Sequence, residues 1–226
     1  MEKVSRLDRI LNKIYYNVFI ESCKKKIDFE FPSNIKRWDL IQEIIRKKNF
    51  SYYLEIGCDD DELFSKINIK NKIGVDPVSG GNIRLTSDEF FKSNKIKFDI
   101  IFIDGLHIYE QVKKDILNSI KFLNPNGIIL LHDCLPREMS HQAVPRYRHH
   151  WNGDVWKAIV EFRQNQNLEI YTCKIDTGIS MIQKKENTKI LNDKILSYKK
   201  LKFLDFIKNH ENFMRILDYD EFIKKI

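Results

Sequence analysis

Four residues of this chain have the types and spacing for proton and metal chemistry. They are Asp104 and His107, three positions apart, and the adjacent pair His132-Asp133. Asp104 follows the apolar run Ile100-Ile101-Phe102-Ile103, and His132 follows Ile128-Ile129-Leu130-Leu131. Short apolar runs that stop at polar turns read as buried strands. As neighbours in a parallel sheet, two such strands lie roughly 4.8 Å apart and deliver their end residues to one edge. Carboxylates and imidazole converging there make a divalent-cation site. Oxygen ligands favour Mg2+ or Mn2+, and a histidine shifts the preference toward manganese or a softer ion. On this reading Asp104, His132 and Asp133 hold the cation and His107 is the general base. The competing assignments are structural: Asp104 capping the helix that follows, and His132 a satisfied buried histidine or itself the base of a metal-free enzyme.

Two further strand ends carry polar groups: Tyr53-Leu54-Glu55-Ile56-Gly57 and Gly74-Val75-Asp76. Between the strands, apolar residues recur at helical spacing, clearest at Ile108, Val112, Ile116, Ile120 and Leu123. A weak strand is expected over Ile83–Thr86, followed by a helix opened by Ser87-Asp88-Glu89. Residues 134–153 read as a long polar loop carrying His141, Arg146, Arg148, His149, His150 and Trp151. Loops of that length are functional or disordered, and this one could close over an anionic or sugar-containing acceptor. Leu168–Lys174 and Gly178–Gln183 read as a closing antiparallel pair. The expected fold is α/β: a Rossmann-like, seven-stranded, mostly parallel sheet with an antiparallel last strand, helices on both faces and extra terminal helices. Residues 1–50 form an N-terminal helical extension with Leu7, Ile10, Leu11, Ile14, Tyr15 and Val18 on one face. Residues 51–184 are the core and 185–226 a helical tail, all within one domain.

The chain of 226 residues carries a net charge of +7. Residues 1–50 hold 12 basic and 7 acidic side chains, residues 51–184 hold 17 and 18, and residues 185–226 hold 10 and 7. The core is therefore neutral and the excess sits at the ends, which reads as a lysine-rich solvated surface before it reads as a nucleic-acid groove. The four cysteines form no C-x-x-C pair, which suits reduced thiols rather than a disulfide framework or zinc site. No apolar stretch approaches the roughly 20 residues of a membrane span. The N-terminus lacks the layout of a secretion signal, so a cytoplasmic protein is expected.

The strand–helix order, together with Tyr53-Leu54-Glu55-Ile56-Gly57, the stretch Phe102–Glu110 and Leu130-Leu131-His132-Asp133, resembles the class I S-adenosylmethionine-dependent methyltransferases. More narrowly it resembles the group containing macrocin O-methyltransferase and the cephalosporin-hydroxylase-like proteins, over roughly residues 35–183. The resemblance implies S-adenosylmethionine as cofactor. Glu55 and Gly57 would flank its methionine part, with Cys58 and Asp59 in the adjoining loop. Asp76 would take the ribose hydroxyls, Ser87 and Asp88 would lie by the adenine, and Asp104 would border the cofactor. Where a glycine-rich loop is usual, this chain has Cys58-Asp59-Asp60-Asp61, which repels a dinucleotide phosphate but suits a cationic sulfonium and ammonium. The bland alternatives are an acidic helix-capping turn at 59–62 and a cap at Ser87.

Catechol-type metal-dependent methyltransferases place ligands at the same two strand ends and a base three residues after the first ligand. His107 matches that base in spacing, not in residue type. The resemblance thus implies O-methylation of a hydroxyl on a sugar, glycan precursor or secondary metabolite, with metal assistance. The acceptor would be a small molecule or a glycan, and the terminal helices either cover the site or make a homodimer. Two other readings compete: an RNA methyltransferase held by the basic ends, with steeply salt-dependent affinity, and a degenerate, non-catalytic binding protein of the same fold.

Overall fold

The computed structural model describes residues 4–226. A helix α1 (Arg6–Tyr15) runs into a π-helical turn, Tyr16–Ile20, and α2 (Arg37–Lys48) leads into strand β1 (Tyr52–Ile56). Then follow α3 (Glu62–Lys66), β2 (Asn71–Val75), α4 (Ser87–Ser93), β3 (Phe98–Ile103), α5 (Tyr109–Phe122) and β4 (Leu123–Leu131). The chain continues through α6 (Met139–Gln142), α7 (Val155–Phe162), β5 (Glu169–Cys173), β6 (Ile179–Gln183), α8 (Phe203–Met214), β7 (Ile216–Leu217) and α9 (Tyr219–Ile223).

The seven strands form one sheet in the order β2-β1-β3-β4-β6-β5-β7. Strands β2, β1, β3 and β4 are parallel, β6 is antiparallel to both β4 and β5, and β7 pairs parallel with β5. The mostly parallel sheet closed by an antiparallel strand is as expected, but its seventh member is not. The expected strand Ile83–Thr86 is reduced to a single bridge between Val75 and Ile83. Thr86 there caps α4, its hydroxyl accepting from Glu89 N at 3.3 Å, so the segment turns away before a ladder can grow. Ile216–Leu217 supplies the seventh strand from within the tail.

Alternate strand residues feed two cores, as the period of two requires. On one face Leu54, Ile101, Ile103, Ile129 and Leu131 pack with Val112, Ile116, Trp156 and Phe206 from α5, α7 and α8. On the other, Tyr53, Ile100, Phe102, Ile128 and Leu130 pack with Leu40, Ile41 and Ile44 of α2 and Phe222 of α9. All four cysteines are free thiols. Among the described residues, no helix is long and apolar enough to cross a membrane.

Residues 134–153 depart most from expectation. They form a packed wall rather than an open polar loop. Cys134, Leu135, Met139, Ala143, Tyr147 and Trp151 are buried. Trp151 Nε1 donates to Ala143 O at 2.6 Å, and Asn152 N and Gly153 N donate to His141 O at 2.8 and 3.0 Å. The apolar residues lie too irregularly along the segment for any period to announce this burial.

Candidate active site

Strand register builds the site. Ile103 pairs with Leu131, so Asp104 and His132 leave the sheet side by side at the carboxyl ends of β3 and β4. In open α/β sheets that edge binds ligands. Asp104 N donates to Ile56 O at 2.8 Å and His132 N to Ile103 O at 3.1 Å, tying the three strand ends together. Gly57, at φ 86°, lies flat against this turn, and a Cβ there would overlap the Asp104 carbonyl oxygen. Only glycine allows that approach.

The four residues singled out from sequence meet here. Asp104 Oδ1 lies 3.1 Å from His107 Nε2 and 3.0 Å from His132 Nδ1. His132 Nε2 lies 2.9 Å from the Asp176 carbonyl oxygen, which can only accept, so that nitrogen carries a proton. With Nδ1 facing a carboxylate as well, the ring is an imidazolium donating on both sides. His107 Nδ1 is 3.2 Å from Asp133 Oδ2 as an ion-pair contact, but off the direction of a hydrogen bond. It is a buried nitrogen with no hydrogen-bond partner among the described residues.

Electrostatics follow from this packing. Burial alone would lower the pKa of His107, but Asp104 and Asp133 raise it to about 10. His132 is held well above the ordinary imidazole range, burial again being overcome, here by Asp104 and Asp133. Burial would raise both aspartates, yet His132 and His107 hold Asp104 far below, and Asp133 below, the usual carboxylate range. Two imidazolium groups thus balance two buried carboxylates, which is how such charges are tolerated out of water.

Residues that carry no site signal in the sequence, together with Trp151 of the 134–153 segment, complete the cluster. Asp176-Thr177-Gly178, between β5 and β6, has φ values of 41°, 62° and 93°. Thr177 Oγ1 donates to Asp133 Oδ1 at 2.6 Å, and Asn152 Nδ2 donates to the same oxygen at 2.8 Å. Arg37 bridges Asp176 at 3.2 Å and Glu62 at 2.9 Å. Trp151 stacks on His107 with ring centroids 5.7 Å apart. Gly153, at φ 65°, lies so close that a Cβ would overlap the His107 carbonyl oxygen. A run of turn formers between the two closing strands, and Asn152-Gly153, were the available signals. Arg37 gave none.

The geometry brings together a candidate cation set that differs from the expected one by one residue. Among the described residues, Asp104, His107 and Asp133 offer ligand atoms all within 4.8 Å of one another. His132, expected in that set, spends both nitrogens on Asp104 and Asp176 O. In this arrangement it orients Asp104, as outer-shell partners do in metal sites. The carboxylate oxygens of Asp104 and Asp133 fit a divalent ion, and His107 Nδ1 can join them only on losing its proton.

The expected cofactor residues are more dispersed. Cys58 is buried, and Asp59 stands at the loop with φ 48°. Glu55 is buried against Tyr53, whose hydroxyl donates to Glu55 Oε2 at 2.5 Å; burial raises its pKa to about 8, so it is largely uncharged at neutral pH. Asp76 accepts four backbone N–H groups: Cys58 and Asp59 on Oδ2 at 3.1 and 3.2 Å, and Val78 and Ser79 on Oδ1 at 2.8 and 2.9 Å. Those bonds more than offset burial and keep it ionised. They also fill the roughly four acceptor positions of a carboxylate, so in this arrangement Asp76 shapes the β1 and β2 loops. Ser87 and Asp88 lie apart from the cluster, where Gln111 Nε2 donates to both at 3.1 Å.

Residues 68–134 match a family model described as a methyltransferase domain. No curated protein matches the sequence. The fold is similar to an O-methyltransferase from Bacillus cereus solved with SAH (10% identity, TM-score 0.50, covering 76% of this chain and 96% of that one). It is also similar to a structure described as an O-methyltransferase from Klebsiella pneumoniae (12%, 0.52, 82% and 92%) and to the SAH-bound methyltransferase PaMTH1 of Podospora anserina (13%, 0.50, 82% and 99%). The acidic loop at residues 59–61 suits a sulfonium donor where it would repel a phosphate, and the matched domain spans β2 to the end of β4. The fold is thus similar to that of the SAH-bound methyltransferases, and residues 68–134 match a methyltransferase domain.

Proposed function

We propose that the chain transfers the methyl group of S-adenosylmethionine to a hydroxyl of a sugar, glycan precursor or secondary metabolite. The observation that carries this reading is the convergence of Asp104, His107 and Asp133 at the ends of neighbouring strands. The C–S bond of the sulfonium breaks as the C–O bond forms, and the acceptor's proton must leave. Aliphatic hydroxyls are too weakly acidic to lose it unaided near neutral pH, so a positioned base is needed. A divalent cation held by Asp104 and Asp133 would supply Lewis-acid polarisation of the hydroxyl and, by its positive charge, would lower the His107 pKa so that the ring is neutral and able to accept the proton.

The chain's own residues do the rest. His107 is the proton acceptor, reaching toward Asp104 and stacked under Trp151, which excludes water from its face. His132 fixes the orientation of Asp104; Thr177 and Asn152 fix Asp133. Orientation of this kind can supply several kcal/mol of the barrier reduction. Glu55, Gly57, Cys58, Asp59 and Asp76 shape the donor side, with the carboxylates of the acidic loop favouring the positive sulfur.

The test combines binding and turnover. Calorimetry should show S-adenosylmethionine binding in the micromolar range, and Asp104→Ala and His107→Ala should each lower methyl transfer to candidate hydroxyl acceptors by at least about a hundredfold. Unchanged turnover in His107→Ala would remove the base, and absent cofactor binding would remove the reading altogether. Manganese titration of Asp133→Asn against the parent chain separates the cation claim from both.

A further inference from the structure

The N-terminal helix presents its apolar face to solvent. Leu7, Ile10, Leu11, Ile14, Tyr15, Val18 and Phe19 are all exposed, Leu7 at 65%, Val18 at 67% and Phe19 at 72%. At about 100° per residue these side chains sweep roughly half the helix circumference. The opposite side holds the body: Tyr16 is buried against Tyr147 with centroids 5.9 Å apart, Gln142 Nε2 donates to Tyr16 Oη at 3.2 Å, and Asn12 Nδ2 donates to Arg146 O at 2.9 Å. The helix is thus fixed to the domain with its apolar half turned outward. Scattered exposed apolar residues are ordinary; a contiguous patch of this kind marks an interaction surface.

Charge decides between occupants. Arg6, Arg9 and Lys13 lie exposed on the polar side, Lys24 and Lys25 follow the helix, and Arg148, His149 and His150 are exposed on the segment packed beside it. Asp8, the acidic residue of the helix, accepts from Ser5 Oγ at 2.6 Å as part of the N-cap. A second copy would bring the same positive rim against this one. An anionic bilayer complements it. The layout, a wide apolar face ending in an aromatic with Lys and Arg on the polar side, is that of a helix lying in a membrane interface.

We infer that the segment Ser5–Ile20 docks this methyltransferase on an anionic lipid surface, its apolar half entering the headgroup–acyl boundary and its basic rim meeting lipid phosphates. The same packed segment carries Trp151, which stacks on His107, so docking would hold one side of the candidate active site near the bilayer.

The full chain should co-sediment with vesicles of equal parts phosphatidylglycerol and phosphatidylcholine. Affinity for pure phosphatidylcholine vesicles should be on the order of tenfold or more weaker, and about 0.5 M salt should weaken the anionic binding. Ile14→Glu with Val18→Glu, both at exposed positions, should abolish sedimentation while leaving the circular dichroism spectrum and S-adenosylmethionine binding unchanged. Arg6→Glu with Lys13→Glu should remove the preference for anionic vesicles. The inference is overturned if the parent chain ignores both vesicle types, or if Ile14→Glu with Val18→Glu sediments as the parent does. It is equally overturned if velocity sedimentation shows a vesicle-indifferent dimer that the same pair of substitutions dissolves, because a second copy would then cover the face.

Discussion

Glu55 offers the sharpest test of the electrostatic account, because its carboxyl sits inside the sheet at 1% exposure beside Tyr53. Burial raises its pKa from 4.5 to about 8. The sign follows from proton linkage. In the unfolded chain the carboxyl ionises freely above about pH 4.5, whereas in the folded chain it keeps its proton until about pH 8. Stability is therefore lost as pH rises from the unfolded value through the folded one, and then levels off. A difference of about 3.5 units at 1.36 kcal/mol each sets a limit near ~5 kcal/mol, of which about 3 kcal/mol is already lost at pH 7.

Glu55→Gln keeps an acceptor for the Tyr53 hydroxyl and removes the ionisation. The variant should match the parent at about pH 4 and exceed it by about 3 kcal/mol at pH 7, equivalent to roughly 6–12 °C in Tm for a chain of this size. Urea denaturation across that pH range, with unchanged m-values, measures the difference. Parallel pH profiles for the two proteins, or a variant less stable at every pH, would refute the buried, protonated carboxyl.

Other perturbations separate scaffold from chemistry. Asp76→Ala strands the backbone N–H groups of Cys58, Asp59, Val78 and Ser79; it should cost about 2–3 kcal/mol in denaturation and weaken S-adenosylmethionine binding in calorimetry. Gly153→Ala places a Cβ against the His107 carbonyl at a positive φ; about 1–2 kcal/mol of backbone strain is expected, with kcat falling more than cofactor affinity. Trp156→Ala empties a fully buried site between α7 and α8, where the Phe206 and Phe213 ring centroids lie 4.8 and 6.3 Å from its own; a loss of about 3–5 kcal/mol should appear in urea melts.

Strand ends were legible because each combines a continuous apolar run with a polar stop, and register converts those stops into a spatial cluster. Ile103 and Leu131 pair directly, so Asp104 beside His132 follows from nothing more than counting to the end of each run. Ile83–Thr86 grows no strand beyond one bridge because Thr86 with Glu89 makes a stronger local helix start than Ile83 and Leu85 make a ladder. Ile216–Leu217 escaped notice because two apolar residues after a helix carry no periodicity; their pairing with Thr172 and Cys173 is wholly tertiary. Segment 134–153 was misjudged for a related reason. Its burial depends on Trp151 Nε1 reaching Ala143 O and Trp156 Nε1 reaching the Gln142 side chain, eight and fourteen positions away, which no helical or strand period encodes.

The same distinction explains why His107 and His132 could not be told apart from their spacing. Both are histidines within reach of Asp104, and only the group on the far side of each ring assigns its role. His132 meets a backbone carbonyl from the β5–β6 turn, which requires a proton on Nε2 while Asp104 faces Nδ1, so neither nitrogen is left for a ligand role. His107 meets a carboxylate off-axis and keeps a nitrogen without a directed partner. The residues that make this difference, Asp176 and Asp133, are 43 positions apart in the sequence. Only the closing hairpin brings them to the same edge. A hairpin that served stability alone would tolerate Thr177→Val in methyl-transfer assays, since a methyl group replaces the hydroxyl in shape; a hairpin that sets the acid–base roles would not, because Asp133 Oδ1 would keep only its bond from Asn152.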